Sequence, residues 1–86
     1  MPRYRVEFKP AAQRDLRSLP AEITDRVIPE TNALADNPFP PGAKKLKGWG
    51  DVWRIRVGNY RVLYKIHPQE MLVLIVRIGH RRDIYR

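Results

Sequence analysis

Residues 52–66 constrain the fold more than any other stretch. Val52-Trp53-Arg54-Ile55-Arg56-Val57 alternates apolar and basic side chains, Gly58-Asn59 follows, and Tyr60-Arg61-Val62-Leu63-Tyr64-Lys65-Ile66 runs on as a second segment. Alternation with a period of two marks a strand with one covered face, and a two-residue loop containing glycine closes a hairpin. So short a loop also sets the register: Val57 faces Tyr60, Arg56 faces Arg61, and Ile55 faces Val62. Successive side chains point to opposite faces of a strand. Trp53, Ile55, Val57, Tyr60, Val62 and Tyr64 therefore share one face, expected to meet the rest of the core. Arg54, Arg56, Arg61 and Lys65 share the other.

The flanking segments supply what covers the apolar face. Tyr4, Val6 and Phe8 fall on one side of a first strand over residues 3–8. Pro10 suits the first turn of a helix, where its missing N–H is not needed. Ala12, Leu16 and Leu19 then make a short amphipathic helix ending before Pro20. A second helix is predicted from about Pro20, with Ile23, Val27, Thr31 and Leu34 as its inner stripe. Pro29 removes a backbone donor inside that helix and is expected to bend it. Asn37-Pro38-Phe39-Pro40-Pro41-Gly42 stops it. After the hairpin, His67-Pro68-Gln69-Glu70 turns the chain into Met71 to Ile78, nearly all apolar, as expected of a central strand covered on both faces. The expectation is one α+β domain over residues 1–86, β-α-α-β-β-β, with a helical hairpin on one face of a small, mainly antiparallel sheet.

Charge is divided unevenly along the chain. Residues 1–43 carry six bases and six acids, whereas residues 44–86 carry eleven bases against Asp51, Glu70 and Asp83, so the whole net charge of +8 lies in the second half. Twelve of the seventeen bases are arginine, whose planar fork matches phosphate oxygens. A basic face of this kind points to nucleic acid or to an acidic protein partner. Arg56 and Arg61 would stand directly opposite each other, an arrangement that disfavours folding. No acid lies in 52–57 or 60–66 to offset them. Arginines lining a sheet can simply cover apolar surface with their stems, but three converging ones suggest a missing anion, and a phosphodiester fits.

The basic tail, Gly79-His80-Arg81-Arg82-Asp83-Ile84-Tyr85-Arg86, follows the central strand and can fold back near the arginine face. Arg81 offers another phosphate contact, His80 exchanges protons near neutrality, and Tyr85 can act as a proton donor or acceptor if its environment shifts its pKa. Ile84 reads as a packing anchor. Other chemistries find no support. The chain has no cysteine, two separated histidines and scattered acids, so thiolate chemistry is excluded and a metal site is not expected. Gly48-Trp49-Gly50 is too short for a phosphate loop. No cofactor is expected, and a nuclease built from these residues would be metal-independent. The start has no apolar signal region and no run reaches membrane-spanning length, so a cytoplasmic protein without membrane contact is expected.

Three stretches, Lys45-Leu46-Lys47-Gly48, Trp53 to Tyr64, and Val76 to Tyr85, resemble the RelE/ParE family of type II toxin–antitoxin toxins. The resemblance runs from the Tyr4–Phe8 strand to Tyr85 and is closest to RelE-type toxins. It implies a toxin that enters the ribosomal A site and cuts mRNA, the RNA's own 2′-hydroxyl attacking the adjacent phosphate. It also implies that Arg54, Arg56, Arg61 and Arg81 bind and polarise that phosphate, while Tyr85 positions or activates the RNA. Lys45, Lys47, Lys65 and Arg82 are further candidates for RNA contact. The prototype has lysines where this chain has Arg54 and Arg56, one of them assigned as general base. Arginine holds its proton to a pKa above about 12, so these two are expected to stabilise charge on the phosphorane. Proton transfer then falls to His80 or Tyr85, with His80 favoured as the carrier and Tyr85 as the positioning group, or is largely dispensed with. Implied partners are a cognate antitoxin, the ribosome with its mRNA, and promoter DNA through the toxin–antitoxin complex. The alternatives are a ParE-like DNA gyrase inhibitor of the same fold, which would not need the full set of five residues, and an inert basic module binding nucleic acid or antitoxin.

Overall fold

A computed structural model describes residues 3–84. The chain forms β1 (Arg5–Phe8), α1 (Pro10–Ser18), α2 (Ala21–Ala33), β2 (Lys44–Lys45), β3 (Trp53–Val57), β4 (Tyr60–His67) and β5 (Leu72–His80). These strands make one five-stranded sheet in the order β1-β5-β4-β3-β2. The β2–β3, β3–β4 and β4–β5 pairs are antiparallel, whereas β1 lies parallel to β5, with Val6 beside Val73 and Phe8 beside Ile75. The expected α+β class and helix placement hold. The two-residue β2 was not anticipated, because Lys44-Lys45 carries no apolar alternation.

The helices begin and end where the prolines allow. Pro10 occupies the first turn of α1, and the Gln13 side chain donates to the Phe8 carbonyl, 2.9 Å, fastening that turn to β1. Pro29 lies inside α2, which continues to Ala33. The Thr31 hydroxyl, fully buried, donates to the Ile28 carbonyl at 2.9 Å. The Tyr4 N–H donates to the Ala35 carbonyl, 2.9 Å, joining the entry of β1 to the exit of α2.

The main core lies between helices and sheet. Ala12, Val27 and Leu34 meet Ile55, Val57, Val62, Tyr64, Val73, Ile75 and Ile78, with Tyr4, Val6, Phe8, Leu16 and Ile23 partly buried against them. The buried Tyr64 phenol donates to the Pro38 carbonyl at 2.8 Å, pinning the proline-rich loop to the sheet, and burial pushes its pKa up to about 12.

The hairpin register matches the reading from loop length: Arg56 pairs with Arg61, Ile55 with Val62, and Val57 with Tyr60. Gly58 has φ +61° and Asn59 does not have positive φ, the signs of a type II′ turn. The last strand departs from expectation. Leu63 pairs with Arg77 but Tyr64 pairs with Ile75, so Val76 is an extra residue and β5 carries a bulge. The bulge changes the phase, bringing Ile78 into the core while Arg77 is exposed. Leu72, Leu74 and Val76 remain half-buried, so β5 is covered fully on one face only.

Candidate nucleic-acid interface

The face of the sheet turned away from the helices carries two kinds of residue. Arg54, Arg56, Arg61 and Leu63 share it by alternation along β3 and β4. Leu63 is fully buried there in a second, small cluster with Val52, Ile84 and part of Leu46. The arginine face is thus partly apolar, and the tail supplies its cover. The Asp83 and Ile84 N–H groups donate to the His80 carbonyl, 2.9 and 3.1 Å, turning the chain back on itself. Ile84 then lies over Gly79, where a Cβ would stand 3.5 Å from the Cβ of Ile84, ordinary van der Waals contact. Gly79 pairs with Arg61, so Ile84 packs beside that arginine's row.

The same turn carries Arg81. Its N–H donates to the Asn59 carbonyl at 2.9 Å, fixing the tail to the tip of the β3–β4 hairpin. Arg56, Arg61 and Arg81 are gathered around that tip, with Arg56 and Arg81 exposed and Arg61 half-buried. Among the described residues no acid forms an ion pair with Arg56 or Arg81.

Arg54 is placed differently. It is only 7% exposed, and its Nη1 donates to the Gly42 carbonyl at 3.2 Å. It forms part of a cleft of about 270 Å³ at the edge of β3, with Glu30, Lys44 and Arg56 on the other walls. Arg54 therefore holds the loop before β2, and Arg56 sits beside it in the open.

His80 pairs with Tyr60, one residue out of phase with Arg61. Its ring meets Tyr60 edge-on, centroids 5.4 Å apart, and borders a cleft with Asp15 and Ser18 of α1. The sheet therefore separates it from the arginine face. Its Nδ1 accepts the Arg82 N–H at 3.2 Å. Lys45 pairs with Trp53 and forms an ion pair with Asp51, 3.5 Å; Lys47 and Arg82 are exposed and Lys65 is half-buried. Tyr85 lies outside the described residues.

One polar contact was invisible from the sequence. The Asp15 carboxylate of α1 accepts from Arg77 Nε at 2.7 Å and Nη2 at 3.3 Å, and from the Ile78 N–H at 2.9 Å. It satisfies the edge of β5 beyond the end of β1, and its hydrogen bond and charge raise the Arg77 pKa further. The only local sign was a lone arginine interrupting the apolar run 71–78. Among the described residues no cluster of three or more histidines, cysteines or acids is placed to hold a metal ion, and no helix is long and apolar enough to cross a membrane.

Comparison with known proteins agrees with this geometry. The family described as ParE toxin of type II toxin–antitoxin system, parDE, matches residues 6–85. Toxin RelG of Mycobacterium tuberculosis is 36% identical over 84 residues, covering 96% of this chain and 97% of its own. Toxin RelE3 of Methanocaldococcus jannaschii is 33% identical over 85 residues, covering 94% of each. The M. tuberculosis RelBE2 toxin–antitoxin complex contains a chain that superposes with a TM-score of 0.83 at 34% identity, over 96% of this chain and 97% of that one. The archaeal RelE–RelB complex from Pyrococcus horikoshii gives 0.79 at 29%, over 93% and 97%. Two helices on a five-stranded mixed sheet are thus shared with RelE toxins, and the chain belongs to the RelE/ParE superfamily of type II toxin–antitoxin toxins.

Proposed function

We propose that this toxin is a metal-independent endoribonuclease that cuts mRNA in the ribosomal A site and so stops translation. The observation that carries the reading is the Arg56–Arg61 pair, set face to face with Arg81 held beside them. Like charges opposed across a hairpin do not help folding, and the planar guanidinium forks of Arg56 and Arg81 match phosphate oxygens.

The reaction needs few protein groups. The RNA 2′-oxygen attacks the adjacent phosphorus, a P–O2′ bond forms, and the P–O5′ bond breaks. The products are a 2′,3′-cyclic phosphate and a free 5′-hydroxyl; the proton lost by the 2′-hydroxyl is balanced by one gained at the 5′-oxygen. Arg56, Arg61 and Arg81 bind the non-bridging oxygens and offset the second negative charge of the phosphorane, a stabilisation strongest in the transition state. Arg54 supports this clamp by holding the neighbouring loop. Tyr85 stays in the proposal as the group that positions the RNA. His80 is assigned to holding the tail turn: with Nδ1 accepting the Arg82 N–H, a neutral ring carries its proton on Nε2 and has no lone pair left to act as base. Undiminished cleavage by His80→Ala protein would agree with that assignment and dispose of the proton-carrier role.

A cognate antitoxin is the expected partner, since the related toxins above are found in complexes with theirs. An acidic segment or an amphipathic helix suits the basic and apolar surface, and promoter DNA would be met through that complex. The decisive test adds purified protein to a translating extract and maps mRNA 5′ ends. New 5′-hydroxyl ends within ribosome-protected codons are expected, falling about a hundredfold with Arg81→Ala. The ParE description of the matching family favours a second reading, a gyrase inhibitor. Intact mRNA together with gyrase-dependent DNA breaks would select it.

A further inference from the structure

Arg26 belongs to the charge-balanced first half of the chain, yet the fold carries it to the arginine cluster. It is exposed on α2, with Glu22 and Glu30 one helical turn to either side. An arginine that follows a glutamate by one turn is well set for an ion pair on a helix surface. Among the described residues Arg26 pairs with neither acid. Its side chain extends to the tip of the β3–β4 hairpin instead. A Cβ placed on Gly58 would stand 3.0 Å from Arg26 Nη1 and 3.6 Å from its Cζ and Nη2. The guanidinium therefore rests on Gly58, and a larger residue there would crowd it.

The same turn gathers two more arginines. Arg56 stands on β3 just before it, and the Arg81 N–H donates to the Asn59 carbonyl at 2.9 Å. Arg26, Arg56 and Arg81 are all exposed, and they come from a helix, a strand and the tail. Their directions of approach differ. Arg56 belongs to the sheet face turned away from the helices, whereas Arg26 arrives from α2 on the other side. A strand of nucleic acid held at Arg56 and Arg81 that continues around the hairpin tip meets Arg26 next. Proteins that hold single strands track the backbone with a run of cations, and a guanidinium fork suits a phosphate.

We propose that Arg26 binds a backbone phosphate flanking the scissile one, so that the RNA strand passes around the Gly58-Asn59 tip. This rests on the RNA-cleaving reading. A flanking phosphate carries the same charge before and during the reaction. The contact therefore contributes equally to the ground and transition states, tightening binding without speeding the chemical step. Arg26 is thus a binding residue that sets where the strand lies, while the clamp at Arg56, Arg61 and Arg81 acts on the phosphate that reacts.

The test titrates fluorescein-labelled hexa-adenylate, 2′-O-methylated throughout so that no 2′-oxygen can attack, and follows anisotropy between about 50 and 200 mM salt. Loss of one phosphate contact lowers the slope of log affinity against log salt by about 0.7 for a single strand. Arg26→Gln should therefore bind about eightfold more weakly than wild type at the lower salt and about threefold at the higher. Arg26→Lys keeps the charge and should restore most of the slope. Arg17→Gln removes an exposed arginine beside β1, at the far end of the sheet, and should leave the slope unchanged. Equal losses from Arg26→Gln and Arg17→Gln would show general attraction and overturn the contact. Wild-type binding by Arg26→Gln, with a lowered slope for Arg56→Gln, would overturn it while leaving the RNA reading intact. Failure of every form, wild type included, to bind the strand overturns both.

Discussion

Replacing Arg56 with glutamate should stabilise the fold and abolish the activity. Arg56 is exposed and faces Arg61 across the hairpin. Its cleft also holds Lys44, Arg54 and a single acid, Glu30, so a carboxylate there enters net positive surroundings. An unlike cross-strand pair contributes about 0.2–1 kcal/mol, and a like pair is destabilising. Exposure keeps both effects toward the lower end, for a combined gain of about 0.5 kcal/mol. In a domain of this size that raises Tm by about 2–4 °C. Arg56→Gln, which only removes the repulsion, should give about half. Thermal unfolding by circular dichroism at 50 mM salt reads the gain directly. At 1 M salt the screening length falls to about 3 Å, and the glutamate and glutamine variants should converge. RNA cleavage by Arg56→Glu should be lost at either salt concentration. A glutamate variant that melts at or below the wild-type temperature at low salt would refute the reasoning, because the arginine pair would then cost the fold nothing.

Three further outcomes follow from buried polar contacts and backbone geometry. Asp15→Ala should cost about 1.5–3 kcal/mol in urea unfolding, since it removes the acceptor of both Arg77 and the Ile78 N–H; Arg77→Ala, which leaves the backbone contact, should cost less. Tyr64 is favoured in its protonated form, so its stabilisation is complete below pH 10 and is lost as pH rises from 10 through about 12. That loss is about 2–3 kcal/mol and should be missing from Tyr64→Phe when the two are unfolded in parallel across that range. Met71 has φ +50° at the turn into β5, a conformation that costs a non-glycine residue about 1–2 kcal/mol; Met71→Gly should therefore raise Tm by a few degrees in calorimetry.

The parts of the fold legible from sequence are those set by local rules. The Gly58-Asn59 loop determines the pairing of Arg56 with Arg61 because so short a connection permits one register. Prolines 10 and 20 bound the first helix by their own geometry. What stayed hidden depends on distant partners. The bulge at Val76 goes with Asp15, 62 residues from Arg77 in sequence. The parallel placing of β1 depends on which edge of the meander the helices leave open. Arg54 appeared equivalent to Arg56 by alternation, yet the loop at Gly42 buries it. Leu63 sat among basic neighbours in the pattern, and only the return of Ile84 makes that position apolar.

These hidden features explain how a chain with uneven charge comes to gather arginines on one face. The acids of the first half are carried largely on the helices and their connections, so the fold spends them on the helix side: Asp15 takes Arg77 and Asp36 takes Arg3. In the second half Asp51 is drawn to Lys45 at the sheet edge. The far face of β3 and β4 is left to Arg56 and Arg61, with Arg81 brought up by one backbone hydrogen bond to Asn59. Ile84, Leu63 and Val52 give that face an apolar floor, which lowers local water content and strengthens any charge contact made beside it. The arginine cluster is thus held in place by backbone and apolar contacts. Its assembly depends on the tail staying folded, so Ile84→Ala should weaken RNA binding without removing a single charge.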